Sequence, residues 1–313
     1  MRLVADIGGT NARFRPTDGK TWLGEIWVGR TADYAQGEAL VSAACHALQI
    51  KPAALDAVVL AVAGPVDDHG RVTMTNSALQ IDAAVCSTAL GCPVRVVNDF
   101  FALASGLPYL ESVIQVGGQA PRADRTKALL GPGSGLGMAC ITPINDTWHV
   151  LPGEGGHANL APTTHLESEI WSLLMQTLGH VSLETVLSGP GLVNLYRAVC
   201  QSWGNPVDES LGAAEITAQG VAMSDLVCHQ TLETFASLLG SAAGNLALTV
   251  GAQGGVYIGG GVAQRLLEFL PSSPMRRRFD EKGQMADYVA DIPLLLIAEE
   301  QPGLLGARAC AAG

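Results

Sequence analysis

The sequence predicts an α/β protein built from two related domains that face each other across a cleft. Three observations carry that reading. Largely apolar segments of strand length recur, as at residues 3–7, 57–63 and 255–258, each ending in a glycine turn. The order strand, glycine turn, returning strand, then alternating strands and helices starts at the N-terminus and again near residue 126. No composition shift, low-complexity tract or long linker interrupts the chain.

The elements follow in order. Residues 3–7 form a buried strand, Gly8-Gly9 a turn, 11–15 a returning strand and 22–28 a third strand. Residues 35–48 carry helical spacing. The apolar run 57–63 is a strand ended by Gly64-Pro65. A helix over 81–90 is stopped by Gly91 and Pro93, and the strand 94–97 delivers Asn98-Asp99 at its carboxyl end, before helical spacing over 100–107. After the restart, 128–130, 138–142 and 148–151 are strands, the first two separated by the glycine turn 131–137. Helices are expected over 166–178, 190–202 and 213–250. A strand over 255–258, a turn at 259–261 and a helix over 262–270 precede the last strand, 292–298, and a closing helix, 302–312.

Composition bounds the function. The 313 residues make roughly two domains at about 150 residues each. With 48% hydrophobic and 15% charged residues the chain is not disordered. The 37 glycines lack a collagen period and read as tight turns and close backbone approaches. A net charge of −11 argues against a nucleic-acid partner. The one dense basic run, Arg276-Arg277-Arg278, is followed by Asp280 and Glu281 and reads as a solvated turn. Mean hydropathy is +0.26, yet no uncharged apolar run approaches the roughly 18–20 residues of a membrane span. The first residues lack the apolar region of a signal peptide. A soluble, cytoplasmic protein without a membrane partner is expected. The seven cysteines (Cys45, Cys86, Cys92, Cys140, Cys200, Cys228, Cys310) are odd in number and contain no Cys-x-x-Cys pair. They read as small buried thiols, not as disulfides or a zinc site.

Three glycine turns carry the chemistry. Asp6-Ile7-Gly8-Gly9-Thr10-Asn11 joins two strands, so backbone amides can approach an anion while Thr10 and Asn11 add donors. Neither a Walker loop nor a dinucleotide fingerprint is present. Gly131-Pro132-Gly133-Ser134-Gly135-Leu136-Gly137 places glycine at every other position and suits no helix or strand interior. Gly259-Gly260-Gly261 lies between strand and helix, where helix amides can face an anion or a nucleoside. Three such turns in an acidic protein fit a polyphosphate held by backbone dipoles and a metal. Asp99, at the mouth of an apolar strand, is placed as a general base, although Asn-Asp is also ordinary turn chemistry. Glu154 and His157, three apart in a glycine-rich loop, can present an acceptor and a donor to a polyol or be satisfied structurally. Glu184 alone reads as a helix-start or surface charge.

Taken together these residues resemble bacterial glucokinases of the hexokinase–actin superfamily. The resemblance runs from Asp6 to Arg13 almost to the end. It includes Met74-Thr75-Asn76, Val97-Asn98-Asp99-Phe100, the 131–137 turn, residues 151–157 and 186–198, Gly244-Asn245-Leu246-Ala247-Leu248, residues 258–262 and Pro302-Gly303-Leu304-Leu305-Gly306. It implies a ribonuclease H-like fold with a smaller domain over 1–106 and a larger one over 107–313, the helix 301–312 packing back on the smaller. It implies ATP-dependent phosphorylation of glucose to glucose 6-phosphate in glycolysis, with Asp99 as base. Asp6 would hold Mg2+ through water. Gly8, Gly9, Thr10 and Asn11 would form the first phosphate loop, Gly133, Ser134, Gly135 and Gly137 the second, and Gly259, Gly260 and Gly261 would lie by the adenosine. Asn98, Asp99, Glu154, His157 and Glu184 would bind glucose hydroxyls, edged by Gly64, Pro65 and Asn76. A homodimer is implied as well.

The chain departs from the family at two points. Ser134 stands where Thr is more usual, keeping the hydroxyl. Ser77-Ala78-Leu79 follows Asn76 where relatives often place a Trp, which leaves one apolar wall of the sugar site open. The cysteine-rich zinc signature of the related repressor–kinase group is absent, so no structural zinc is expected. Alternatives are a kinase for mannose or an N-acetylhexosamine on the same fold, and a sugar-sensing regulator without turnover. Regulators of this superfamily carry a DNA-binding segment before the first glycine loop; here Asp6 is the sixth residue. An actin-like filament would leave Glu154, His157 and Glu184 without purpose.

Overall fold

A computed structural model describes residues 1–74, 77–145 and 147–311. The chain divides into two compact units. One comprises residues 1–111, 148–150 and 299–313, the other residues 112–147 and 151–298.

In the first unit, β1 (Arg2–Ile7), β2 (Asn11–Thr17) and β3 (Trp27–Arg30) pair antiparallel. Then come α1 (Gly37–Ala47), β4 (Ala57–Val62), a short pair β5 (Arg71–Thr73) and β6 (Gln80–Asp82), α2 (Ala83–Leu90), β7 (Val94–Asn98) and α3 (Asp99–Gly106). The sheet order is β3-β2-β1-β4-β7, with β1, β4 and β7 parallel. Strand periodicity assigns the faces. Leu3, Ala5, Ile7, Val58, Leu60 and Val62 pack with Leu40, Val41 and Ala44 of α1 and Cys86 and Leu90 of α2. Both faces of the parallel strands are largely buried, which is why β4 is one apolar run and β1, apart from Arg2 and Asp6, is apolar without alternating.

The second unit holds β8 (Val113–Gly117), β9 (Lys127–Pro132), β10 (Leu136–Ile144), β11 (Thr147–Gly153), α4 (His165–Leu178), α5 (Gly189–Trp203), α6 (Ala213–Val221), α7 (Leu226–Val250), β12 (Val256–Ile258), α8 (Gly261–Arg265), α9 (Met275–Asp280), α10 (Ala286–Ala290) and β13 (Leu294–Ile297). Its sheet order is β11-β10-β9-β12-β13-β8. Ala128, Leu130, Val256, Ile258, Leu294 and Leu296 form one sheet face and pack on α7 through Leu232, Phe235 and Leu239. The terminal α11 (Pro302–Ala311) belongs to the first unit, where Leu304 and Ala307 join Ala102 of α3 over Val4, Val59 and Ala61, the opposite face of that sheet.

The structure corrects several expectations. The helix expected over 213–250 is two helices. Met223 adopts a left-handed φ of 53°, and Asp225 caps α7 by accepting the Cys228 amide at 2.8 Å, so side-chain capping competes with continuation. The segment 81–90 begins as strand. Asp82 ends β6 and its carboxylate accepts the amides of Ala84 and Val85 at 2.9 and 3.2 Å, starting α2. The third strand starts at Trp27, not at residue 22. Trp22 instead stacks between Arg15 and Arg308, at 4.7 and 4.5 Å from its ring centre. The helix expected over 262–270 stops at Arg265, and β8, α9 and α10 lie where the pattern is too short to read. The run Arg276-Arg277-Arg278 is not a solvated turn but lies in α9. Arg278 is buried against Glu167 at 3.0 Å, and Arg276 donates to the carbonyls of Ile292 and Ala290 at 2.9 and 2.8 Å. All seven cysteines are free and buried. Among the described residues no helix is long and apolar enough to cross a membrane.

Candidate active site

The expected site residues fall into two groups, one in each unit. In the first, the parallel strands end level, since Ile7 pairs with Val62 and Val62 with Asn98. The carboxyl edge of such a sheet is where open α/β folds bind ligands. Gly8, Gly9 and Thr10 turn from β1 into β2, closed by the Gly8 amide on the Asn11 carbonyl at 2.9 Å. Thr31 ties the same turn down, its hydroxyl donating to Gly8 O at 2.7 Å and its amide to Thr10 O at 3.0 Å.

Asn98 ends β7 and caps α3, its side-chain oxygen accepting the amides of Phe100 and Phe101 at 2.9 and 3.1 Å. Its Nδ2 donates to Gly64 O at 3.1 Å. Gly64 holds φ of 142°, which a residue with Cβ rarely adopts. The Gly64-Pro65 turn and Asn98 are thus brought together. Asn76 lies outside the described residues. Leu79 is fully buried in the core, so of the open wall only Ser77 and Ala78 carry exposed surface.

Asp99 is the first residue of α3 and its Oδ1 accepts the Phe100 amide at 2.9 Å. Burial, and then the nearby Asp6 carboxylate, push its pKa up to about 6 against the hydrogen bonds of Phe100 and Asn98. Burial raises Asp6 as well, partly offset by Arg13, its partner across β2. Two desolvated carboxylates that repel each other suit a hard divalent cation, which takes oxygen ligands. The donor chemistry here fits magnesium. One residue outside the expected set bears on Asp6. Gly303, in the first turn of α11, lies so close that an added Cβ would stand 2.5 Å from Asp6 Oδ2. Its sequence signal is the pair Gly303 and Gly306, one helical turn apart.

In the second unit β9 and β12 run parallel with Leu130 opposite Ile258, so their following glycine turns are neighbours. Gly259 donates to Leu130 O at 3.0 Å. Gly260, at φ of 85°, leaves no room for a Cβ, which would stand 2.5 Å from Pro132 O. Gly261 opens α8. The turn expected over 131–137 is shorter, because Gly131 and Pro132 end β9 and pair with Gly137 and Leu136 of β10. It spans 133–135, where the Gly133 amide bonds Gly135 O at 2.8 Å, Ser134 is exposed, and Gly133 O accepts the Gly189 amide at 2.8 Å. Gly137 follows in β10.

Glu154 and His157 bracket a tight turn closed by the His157 amide on Glu154 O at 3.0 Å, with both side chains exposed. The next strand of contact is Glu184. Its amide donates to Gly156 O at 2.8 Å, its Oε1 lies 4.0 Å from His157 Nδ1, and its Oε2 accepts the Leu136 amide at 2.7 Å. Glu184 is therefore not a surface charge. The Leu136 amide escaped sequence reading because a backbone donor has no sequence signature. Glu184 and His157 meet; Glu154 has only a backbone link to them.

Comparisons with known proteins give one answer. A family model described as glucokinase matches residues 3–313. A glucokinase of Chromobacterium violaceum is 42% identical over 98% of this chain and 88% of its own length. A glucokinase of Klebsiella pneumoniae is 42% identical over 98% of this chain and 95% of its own. The crystal structure of a glucokinase from an Antarctic psychrotroph, 35% identical, superposes with a TM-score of 0.88 over 99% of this chain and 98% of that one.

Proposed function

Because the chain belongs to the glucokinase family, we propose that it transfers the terminal phosphoryl group of ATP to the primary hydroxyl of glucose, with Asp99 as the general base. The observation that supports Asp99 is its environment. It sits at the level carboxyl edge of β1, β4 and β7 with a pKa raised to about 6, so it is ionised at neutral pH yet basic enough to take a proton. As the proton passes from the sugar hydroxyl to Asp99, the hydroxyl oxygen bonds the terminal phosphorus and the bond to ADP breaks. Phosphoryl transfer asks mainly for positioning and charge neutralisation. Asp6 would hold magnesium through water; when bound, the ion neutralises phosphate charge. The turns at Gly8–Asn11 and Gly133–Gly137 would offer amides to the phosphates, and Gly259, Gly260 and Gly261 would lie by the adenosine. Asn98, Glu154, His157 and Glu184 would receive the sugar hydroxyls. The family resemblance supports a cytoplasmic homodimer, and light scattering reads that assembly directly.

The test is ADP release from magnesium-ATP without sugar, then with glucose, mannose, fructose and N-acetylglucosamine. Turnover strongest with glucose is expected, and Asp99→Asn should lower kcat by about 10²–10⁴-fold. An Asp99→Asn enzyme with wild-type kcat removes Asp99 as base. Preference for another hexose moves the specificity to the Ser77-Ala78 side.

A further inference from the structure

The loop expected to hold phosphate and the loop expected to hold sugar are joined in the second unit by one carboxylate. Glu184 Oε2 accepts the amide of Leu136, the first residue of β10 just after the 133–135 turn, at 2.7 Å. Its Oε1 faces His157 at 4.0 Å, and its own amide is fixed to Gly156 O at 2.8 Å. Two glycines show how close this junction is. A Cβ on Gly135 would stand 2.5 Å from Glu184 Oε2, and one on Gly156 would stand 2.1 Å from Leu136 O. On the far side the Gly189 amide holds Gly133 O, and the Ser188 hydroxyl donates to Glu184 O at 2.9 Å. The turn is thus gripped at both shoulders by the segment 184–189.

We propose that Glu184 is a positioning residue for the nucleotide as well as a sugar ligand, and that through its bond to the Leu136 amide sugar binding tightens nucleotide binding. The inference rests on the proposed kinase reading and adds the route of coupling. A half-buried carboxylate with one oxygen on an amide has one free oxygen to offer. Sugar hydroxyls donating to Oε1 hold the side chain in place. Oε2 then stays on the Leu136 amide, a charge-assisted bond of the stronger class, and the glycine turn loses freedom before the nucleotide arrives. Gly131 and Gly137 are paired in the β9–β10 ladder, but Gly133 and Gly135 in the turn between them keep glycine's freedom, so ordering that turn in advance lowers the cost of nucleotide binding. Linkage makes the effect reciprocal: the nucleotide tightens the sugar by the same factor.

The experiment is calorimetric titration of the full chain with a non-hydrolysable magnesium-ATP analogue, with and without saturating glucose, alongside glucose titration alone. For the wild type, glucose should lower the analogue Kd by about 5- to 150-fold. Gly135→Ala puts a methyl where Oε2 sits and removes no sugar-binding group. It displaces Oε2 from the Leu136 amide and should bring the coupling factor towards one, whatever the glucose and analogue affinities measured alone. Glu184→Gln keeps a carbonyl for the Leu136 amide but loses its charge. It should leave a reduced coupling factor, which serves as the measure if Gly135→Ala fails to fold. A wild-type coupling factor of one overturns the proposal, as does a wild-type factor in Gly135→Ala or Glu184→Gln. Because turnover is measured separately, normal glucose phosphorylation without coupling sinks only this inference. Absence of any sugar-dependent turnover sinks the kinase reading itself.

Discussion

Asp99 is ionised at a cost to the fold. Its carboxyl titrates near 6, raised by burial and by Asp6, against an ordinary value of about 3.9 in an unfolded chain. Between those values the native state holds a proton that the unfolded state has released, so stability falls as pH rises through this window. Above pH 6 the full penalty applies, on the order of 3 kcal/mol before a cation binds. Two consequences follow from the same group. With Asp99 as the proposed base, the glucose kcat/KM should fall about tenfold per pH unit below 6, as its carboxylate is protonated. In metal-free buffer Asp99→Asn should melt higher than the wild type at pH 7.5, and the gap should close as pH approaches 4. A variant that melts lower at pH 7.5 would show that Asp99 stabilises the fold. The residue types and the strand-end position of Asp99 were legible in the sequence. Its raised pKa was not, because burial and a carboxylate 93 positions earlier in the chain cause it.

At the scale of elements, α11 is the piece that supports both carboxylates of the first unit. Its first turn lies on Asp6 through Gly303, and its middle crosses α3, the helix that Asp99 begins, at a glycine pair. A Cβ on Gly306 would stand 2.2 Å from Ala102 O, and one on Gly106 would stand 3.0 Å from the Gly306 Cα. Neither backbone can yield without moving a whole helix. Gly306→Ala should therefore cost about 1–3 kcal/mol in urea unfolding and lower kcat through the displaced α3; wild-type stability would mean the crossing is loose. The sequence showed α11 as a closing helix and its glycines as part of a resemblance. It could not show what they touch. Likewise α9 hides in a basic run, because Arg278 is neutralised by Glu167, 111 positions away. A buried ion pair of this kind leaves no local trace in charge patterning.

For the whole molecule, the low charged fraction and the many small residues agree with two sheets clad in helices. The seven cysteines spread through those cores are all free and buried, several with thiols pushed up by burial, Cys86 to about 11 and Cys228 to about 12. A thiol reagent should react slowly with the native protein and with all seven cysteines in denaturant; rapid native labelling would place one at the surface. A chain of net charge −11 is poorly suited to attract a polyphosphate by its side chains, which is why the proposed reading rests on the three glycine turns: amide dipoles carry no net charge. The sequence by itself determined the α/β class, the places of those turns and the strand that ends in Asn98-Asp99. Apolar periodicity and glycine punctuation act over a few residues, and a few residues suffice to express them. Only the tertiary structure decided that Glu184 holds the Leu136 amide, 48 positions away, and that Gly303 lies on Asp6. Such contacts form between backbones brought together by core packing, and nothing in the local chain encodes which distant amide a carboxylate will meet.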